Sequence, residues 1–219
     1  MEEKKTRFVY EGGIGEIEEK KSRFIAAVQS VHSEEEALAF LAAKKKEYYD
    51  ARHNCHAFVI GEGNRIQRCS DDGEPSGTAG RPMLEILLHE HLEDTIVVVT
   101  RYFGGTLLGT GGLVRAYQAA VQAGLAASRI AERRFGRELS VEASYTDLDR
   151  LQRYAAKQQL TIHDSIYAEN VTLRLMIPEE SVQTVLTELT DLTEGRAKLS
   201  CKETEAYAEI DGKIIRFSS

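Results

Sequence analysis

Between Thr95 and Ser128 the chain passes from an apolar β-type segment (Thr95 to Thr100), through five glycines in nine residues (Gly104 to Gly112), into a long helical stretch (Leu113 to Ser128). This run constrains the fold more than any other. A short continuous apolar segment marks a strand buried on both faces. A glycine-rich link then leads straight from that strand into a helix. The glycines also let a ligand approach backbone N–H groups at a helix start, where the helix dipole favours negative charge.

The remaining pattern fills in around that run. Residues 7–11 and 14–20 read as a hairpin about Gly12-Gly13, and Ser22 to Val31 as a strand. Ser33-Glu34-Glu35-Glu36 is a capping-box pattern that opens a helix reaching about Tyr49. Cys55 to Ile60 and Arg65 to Cys69 form a second hairpin candidate, and Pro82 suits the first turn of a helix running to about His91. After Ser128 the texture becomes charged, and the tail reads strand, helix, strand, strand, helix, strand through Ile210. That order is the ferredoxin-like split βαβ arrangement. The expected class is α+β, with a boundary giving domains 1–134 and 135–219.

Composition excludes several classes. Hydrophobic residues make up 42% and charged residues 29%, the balance of an ordinary globular chain. No apolar run approaches the ~20 residues of a membrane-spanning helix, so no membrane partner is expected. The net charge of −7 lacks a whole-protein basic footprint, and no DNA specificity is expected. The three cysteines, Cys55, Cys69 and Cys201, form no CxxC pair. With an N-terminus leading into no apolar signal core, they point to a reduced, cytoplasmic setting. Cys55 and Cys69 are expected in a strand pair as small buried residues. Tyr145, Tyr154 and Tyr167 are expected between sheet and helices. Arg52-His53-Asn54-Cys55-His56 lacks a second ligand cluster, so no metal is expected there.

Two loops carry chemical information. Ser70 to Gly80 holds Asp71, Asp72 and Glu74, then hydroxyls (Ser76, Thr78) and glycines. It suits a hard-cation site, a backbone-lined anion pocket running into a helix start, or a capped, solvated surface loop. Arg101 to Tyr117 places Arg101 and Tyr102 before the glycines Gly104, Gly105, Gly109, Gly111 and Gly112, and Arg115 about one turn into the helix. Either arginine could pair with phosphate or carboxylate through a two-pronged contact. The named phosphate motifs fail: Thr110 stands where a P-loop needs lysine, and Val114 where a dinucleotide fingerprint needs glycine.

Asp50-Ala51-Arg52-His53-Asn54-Cys55, the whole of Ser70 to Gly80, and Val99 to Gly105 continuing through Gly109 to Tyr117 together resemble the YigZ/IMPACT family. Lys21-Ser22-Arg23-Phe24-Ile25-Ala26 is similar to that family's opening strand. The resemblance covers residues ~20–128, and the tail resembles the second domain of the family's two-domain bacterial members. It implies a two-layer α/β first domain, similar to the second domain of a small-subunit ribosomal protein. It implies a ferredoxin-like second domain, similar to the last domain of elongation factor G. The eukaryotic relatives regulate translation and carry a further N-terminal partner-binding domain, which is not expected here. Asn54 and His56 depart from the usual family residues. The resemblance implies a translation-associated regulatory or binding protein, with the ribosome, RNA or a translation factor as partner and no cofactor. The candidate ligand-binding residues are His53, Asp71, Asp72, Glu74, Ser76, Thr78, Arg101, Tyr102, Gly104, Gly105, Gly109, Gly111, Gly112 and Arg115, with no catalytic residue assigned. The alternative is an enzyme acting on a phosphorylated or anionic small molecule through loops 70–80 and 101–115.

Overall fold

The computed structural model describes residues 6–217. The chain divides into two compact units, Met1–Ala131 and Glu132–Ser219. In the first unit, β2 (Ile14–Glu19), β3 (Ser22–Ser30), β4 (His53–Ile60), β5 (Ile66–Ser70) and β7 (Thr95–Tyr102) form one antiparallel sheet in the order β2-β3-β7-β4-β5. The buried segment at 95–100 is therefore the central strand, as its lack of a polar face requires. Alternation along it divides the core. Val97 and Val99 pack with residues of α2 (Gly80–His89) and α3 (Thr110–Ala126), whereas Ile96 and Val98 pack with Ala37 and Leu41 of α1 (Glu34–Glu47). The α/β layering of sheet and paired helices is present, and α1 adds a cover on the opposite face. The capping box holds: Ser33 Oγ accepts from the Glu36 N–H, and the Glu36 carboxylate accepts from the His32 N–H.

The hairpin expected about Gly12-Gly13 does not form. β1 (Thr6–Glu11) pairs in parallel with β6 (Leu92–Glu93), and β2 pairs with β3. The glycines serve close approach instead. A Cβ at Gly13 would overlap the Ala127 carbonyl, and one at Gly15 the Ala123 carbonyl, so α3 lies directly on the backbone of β2. The turn that does form is Lys20-Lys21, between β2 and β3, with both residues at positive φ (46° and 66°).

The second unit contains the later part of β8 (Arg129–Ala143), then α4 (Leu148–Lys157), β9 (Ile162–Tyr167), β10 (Val171–Pro178), α5 (Val182–Leu192), β11 (Lys198–Ile210) and β12 (Lys213–Phe217). The sheet order is β12-β11-β8-β10-β9, antiparallel throughout. Without β12 this is the split βαβ order of a ferredoxin-like domain. β12 adds an edge strand through the turn at Asp211-Gly212, both at positive φ (52° and 72°). Leu139 and Val141 of β8, Leu173, Leu175 and Ile177 of β10, Leu151 of α4 and Leu189 of α5 form its core. Tyr154 lies half-buried and donates to Glu188, but Tyr145 and Tyr167 are exposed, against the expectation that all three pack inside. Among the described residues, no helix is long and apolar enough to cross a membrane.

Candidate functional site

The two informative loops meet in the first unit. Arg101 is the last residue of β7 whose side chain lies on the α2/α3 side. There its Nη1 donates to Glu74 Oε1 at 2.6 Å, with the arginine side chain 7% and the glutamate 3% exposed. Tyr117 of α3 donates to the same Glu74 oxygen at 2.9 Å, and Cys55 Sγ of β4 lies 3.3 Å from the Tyr117 hydroxyl. The Arg101 guanidinium lies 5.3 Å from the Phe24 ring centre, and Phe24 meets Tyr117 edge-on at 5.2 Å. Two buried charges are stable only when paired and hydrogen-bonded, and this cluster supplies both conditions. Burial pushes the Cys55 thiol up to about 12 and raises the Tyr117 phenol as well, so neither ionises near neutral pH. A buried thiol of that kind is a packing group, not a nucleophile. Cys69, by contrast, is exposed.

The acidic loop is bound by its own chain. Asp71 Oδ1 accepts from the Ala79 and Gly80 amides at 2.9 and 2.8 Å, and Oδ2 accepts from Gly77 at 2.8 Å. The N-terminus of α2, one candidate anion pocket, is thus filled by an internal carboxylate. Burial works to raise the Asp71 pKa, but the three amides outweigh it and hold the group below the usual carboxylate range. Asp72 is also held low: burial opposes, while Lys45 (2.8 Å) and the Asn54 amide (2.7 Å) prevail. His53 Nδ1 lies 3.0 Å from the Asp72 carbonyl oxygen, and Thr78 Oγ1 donates to the Pro75 carbonyl at 2.7 Å. Ser76 is exposed. Among the described residues, no three His, Cys, Asp or Glu side chains are grouped as metal ligands.

The glycine loop is the open part. Gly104 donates to Ser22 Oγ at 3.1 Å, and a Cβ on Gly104 would overlap the Lys21 backbone. Gly105 and Gly109 take positive φ (87° and 72°). Gly109 is the N-cap of α3 and offers no side-chain oxygen, so the first turn of α3 has no side-chain cap. Gly111 faces Arg115, whose Nη1 would lie 3.7 Å from a Cβ there. Gly112 sits over Leu108. Arg115 is exposed and makes no ion pair among the described residues. Phe103 is 54% exposed and covers the Arg101 guanidinium at 5.6 Å. Tyr102, on the other side of the strand, donates to Asp50 Oδ1 at 2.7 Å. That bond, together with burial, pushes its phenol up to about 12.

The candidate residues therefore fall into two sets. Asp71, Asp72, Glu74, Thr78 and Arg101 belong to a set engaged by partners within the chain, while Gly105, Gly109, Gly111 and Arg115, with Phe103, are exposed. The sequence reading missed Ser22, Lys45, Phe24 and Tyr117 as its partners. Tyr117 gave a signal: it is a phenol on the apolar face of α3, between Leu113 and Val121, and a buried hydroxyl needs a partner.

Two family models match the chain: the Impact N-terminal domain over residues 20–125, and a domain of unknown function (DUF1949) over residues 141–196. IMPACT family member YvyE of Bacillus subtilis (strain 168) is 43% identical over 191 residues, covering 87% of this chain and 88% of that protein. IMPACT family member YigZ of Escherichia coli (strain K12) is 37% identical over 167 residues, covering 75% and 82%. A crystal structure described as that of a hypothetical protein superposes with a TM-score of 0.56 at 34% identity, covering 91% of this chain and 98% of that one.

Proposed function

The chain belongs to the IMPACT family, and on that footing we propose that it is a translation-associated regulatory protein that contacts the ribosome through the open side of the glycine–arginine loop. The observation that carries this reading is the division of the site. Asp71, Asp72 and Glu74 are engaged by backbone amides, Lys45, Arg101 and Tyr117. The first turn of α3, Arg115 and Phe103 face outward without such partners. A surface of free amides, one unpaired arginine and an exposed ring suits phosphate contact more than acid–base chemistry. The enzyme alternative needs at least one of the three carboxylates free as a base or cation ligand.

Co-sedimentation with ribosomes over a salt series tests the reading. Binding is expected to fall steeply with salt, as phosphate-dominated contacts do. Arg115→Ala is expected to weaken it without changing the melting temperature, and Phe103→Ala to weaken it while the protein stays folded. Arg101 is not a fair probe, because its removal leaves Glu74 buried without its countercharge. No sedimentation at low salt, or variants that sediment like the parent, would overturn the proposal.

A further inference from the structure

We propose that the ligand of this surface is single-stranded RNA, lying across one end of the first unit's sheet with bases on Phe103 and Tyr49 and phosphates on Lys20, Lys21, Arg52 and Arg115. The inference rests on the ribosome-facing reading above and gives it a chemical partner.

The topology brings these residues to one edge. β3 begins at Ser22, β4 begins at His53 and β7 ends at Tyr102, with Arg23 opposite Tyr102 and His53 opposite Arg101. The Lys20-Lys21 turn, the segment after α1 and the start of the glycine loop therefore share that end. Gly104 ties two of them together, since its amide donates to Ser22 Oγ and its missing side chain leaves room for the Lys21 backbone.

Charge at this end is sorted. Lys20, Lys21, Lys46, Arg52 and Arg115 are exposed and form no ion pair among the described residues. Most neighbouring carboxylates are already engaged: Glu16 by Arg23, Glu47 by Lys44, Asp72 by Lys45, and Asp50 by the Tyr102 hydroxyl. On β2, Glu18 and Glu19 are exposed and form no ion pair among the described residues, and a bound strand would have to skirt them.

The lysine turn places two cations at this end. A two-residue hairpin loop with both residues at positive φ is the position where Asn-Gly is favoured, because a Cβ disfavours that conformation. Two lysines stand there instead, at a conformational penalty, and the turn holds both exposed at this end of the sheet.

The aromatic rings complete the platform. Tyr49 is 85% and Phe103 54% exposed. Tyr102 reaches from the strand end to Asp50, the residue after Tyr49. The Arg101 guanidinium behind Phe103 fixes that ring from below. Exposed rings interleaved with cations bind unstacked bases and backbone together, whereas a duplex keeps its base faces hidden.

The test is fluorescence anisotropy with a labelled oligouridine of about twelve nucleotides, a span within single-strand site sizes. With four phosphate contacts, log K is expected to fall against log salt with a slope of about −3. Phe103→Ala and Tyr49→Ala should each weaken binding by about tenfold or more. Lys20→Asn/Lys21→Gly should flatten the slope by about 1.4 while melting no lower than the parent, which a merely structural role for the turn would not produce. Absence of binding at low salt, equal binding of a blunt duplex of the same length, or aromatic variants that bind like the parent would each overturn the assignment. The same variants in the ribosome assay separate the two readings. Sedimentation without oligouridine binding leaves the translational reading and removes the RNA strand. Loss of both removes both.

Discussion

Replacing Glu74 by alanine would remove one carboxylate and strand two groups. Arg101 is left as a buried cation, 7% exposed, with a 3.4 Å contact to Ser22 Oγ as its remaining side-chain hydrogen bond. The Tyr117 hydroxyl, 2.9 Å from the same oxygen, loses its acceptor. Breaking a buried pair from one side costs about 3–5 kcal/mol, because the survivor keeps its desolvation penalty without its countercharge. Against a usual total of about 5–15 kcal/mol this is a large share of the first unit's stability. Urea unfolding followed by circular dichroism reads it directly. With a slope near 2 kcal/mol/M, a loss of about 4 kcal/mol moves the midpoint down by about 2 M. The double replacement Glu74→Leu/Arg101→Met removes both charges and is expected to recover most of the loss. A Glu74→Ala midpoint within about 0.5 M of the parent, equivalent to about 1 kcal/mol at that slope, would refute the view that this pair is desolvated and mutually dependent.

Two further outcomes follow from the geometry. Gly104→Ala puts a methyl group into the Lys21 backbone, which must move; a loss of about 1–3 kcal/mol is expected in the same urea assay, and an unchanged midpoint would show the hairpin free to shift. In the second unit, burial works to raise the Glu138 pKa, but Lys202, Arg216 and His163 hold it at about 2, against an ordinary 4.5. A depressed carboxylate stabilises the fold above its unfolded pKa, so this contribution is present above about pH 4.5 and is lost as pH falls towards 2. Acid unfolding of Glu138→Gln compared with the parent measures it: the variant's stability should fall less steeply across that window, and superimposable acid limbs would sink the argument.

The second unit was legible in the sequence because each helix carries its own start signal and each strand its own alternation. The ferredoxin-like order could therefore be read before any pairing was known. β12 was not, because five residues after Asp211-Gly212 alternate too briefly to register. The false hairpin at Gly12-Gly13 arose because glycine has two uses: a turn and a close helix contact look identical in a string of letters, and the deciding neighbour of Gly13, Ala127, lies more than a hundred residues away. The site was half legible. The residue types in loops 70–80 and 101–115 drew notice, but the partner of each was not visible. Sequence gives no sign that Asp71 turns back onto Gly77, Ala79 and Gly80, or that Glu74 reaches Tyr117 across 43 positions.

The loop from Asp71 to Gly80 has no apolar side chain larger than alanine or proline, the composition of a segment that usually accepts inserted residues. Its hydrogen bonds reverse that. Asp71 fixes the start of α2, and three residues later Glu74 fixes β7 and α3, so the spacing between the two acids sets the register of a strand and two helices at once. A single residue added between them would pull one anchor off its partners. The most loop-like stretch of the first unit is thus a fixed-length clamp, and an added residue there is expected to cost far more than its composition suggests.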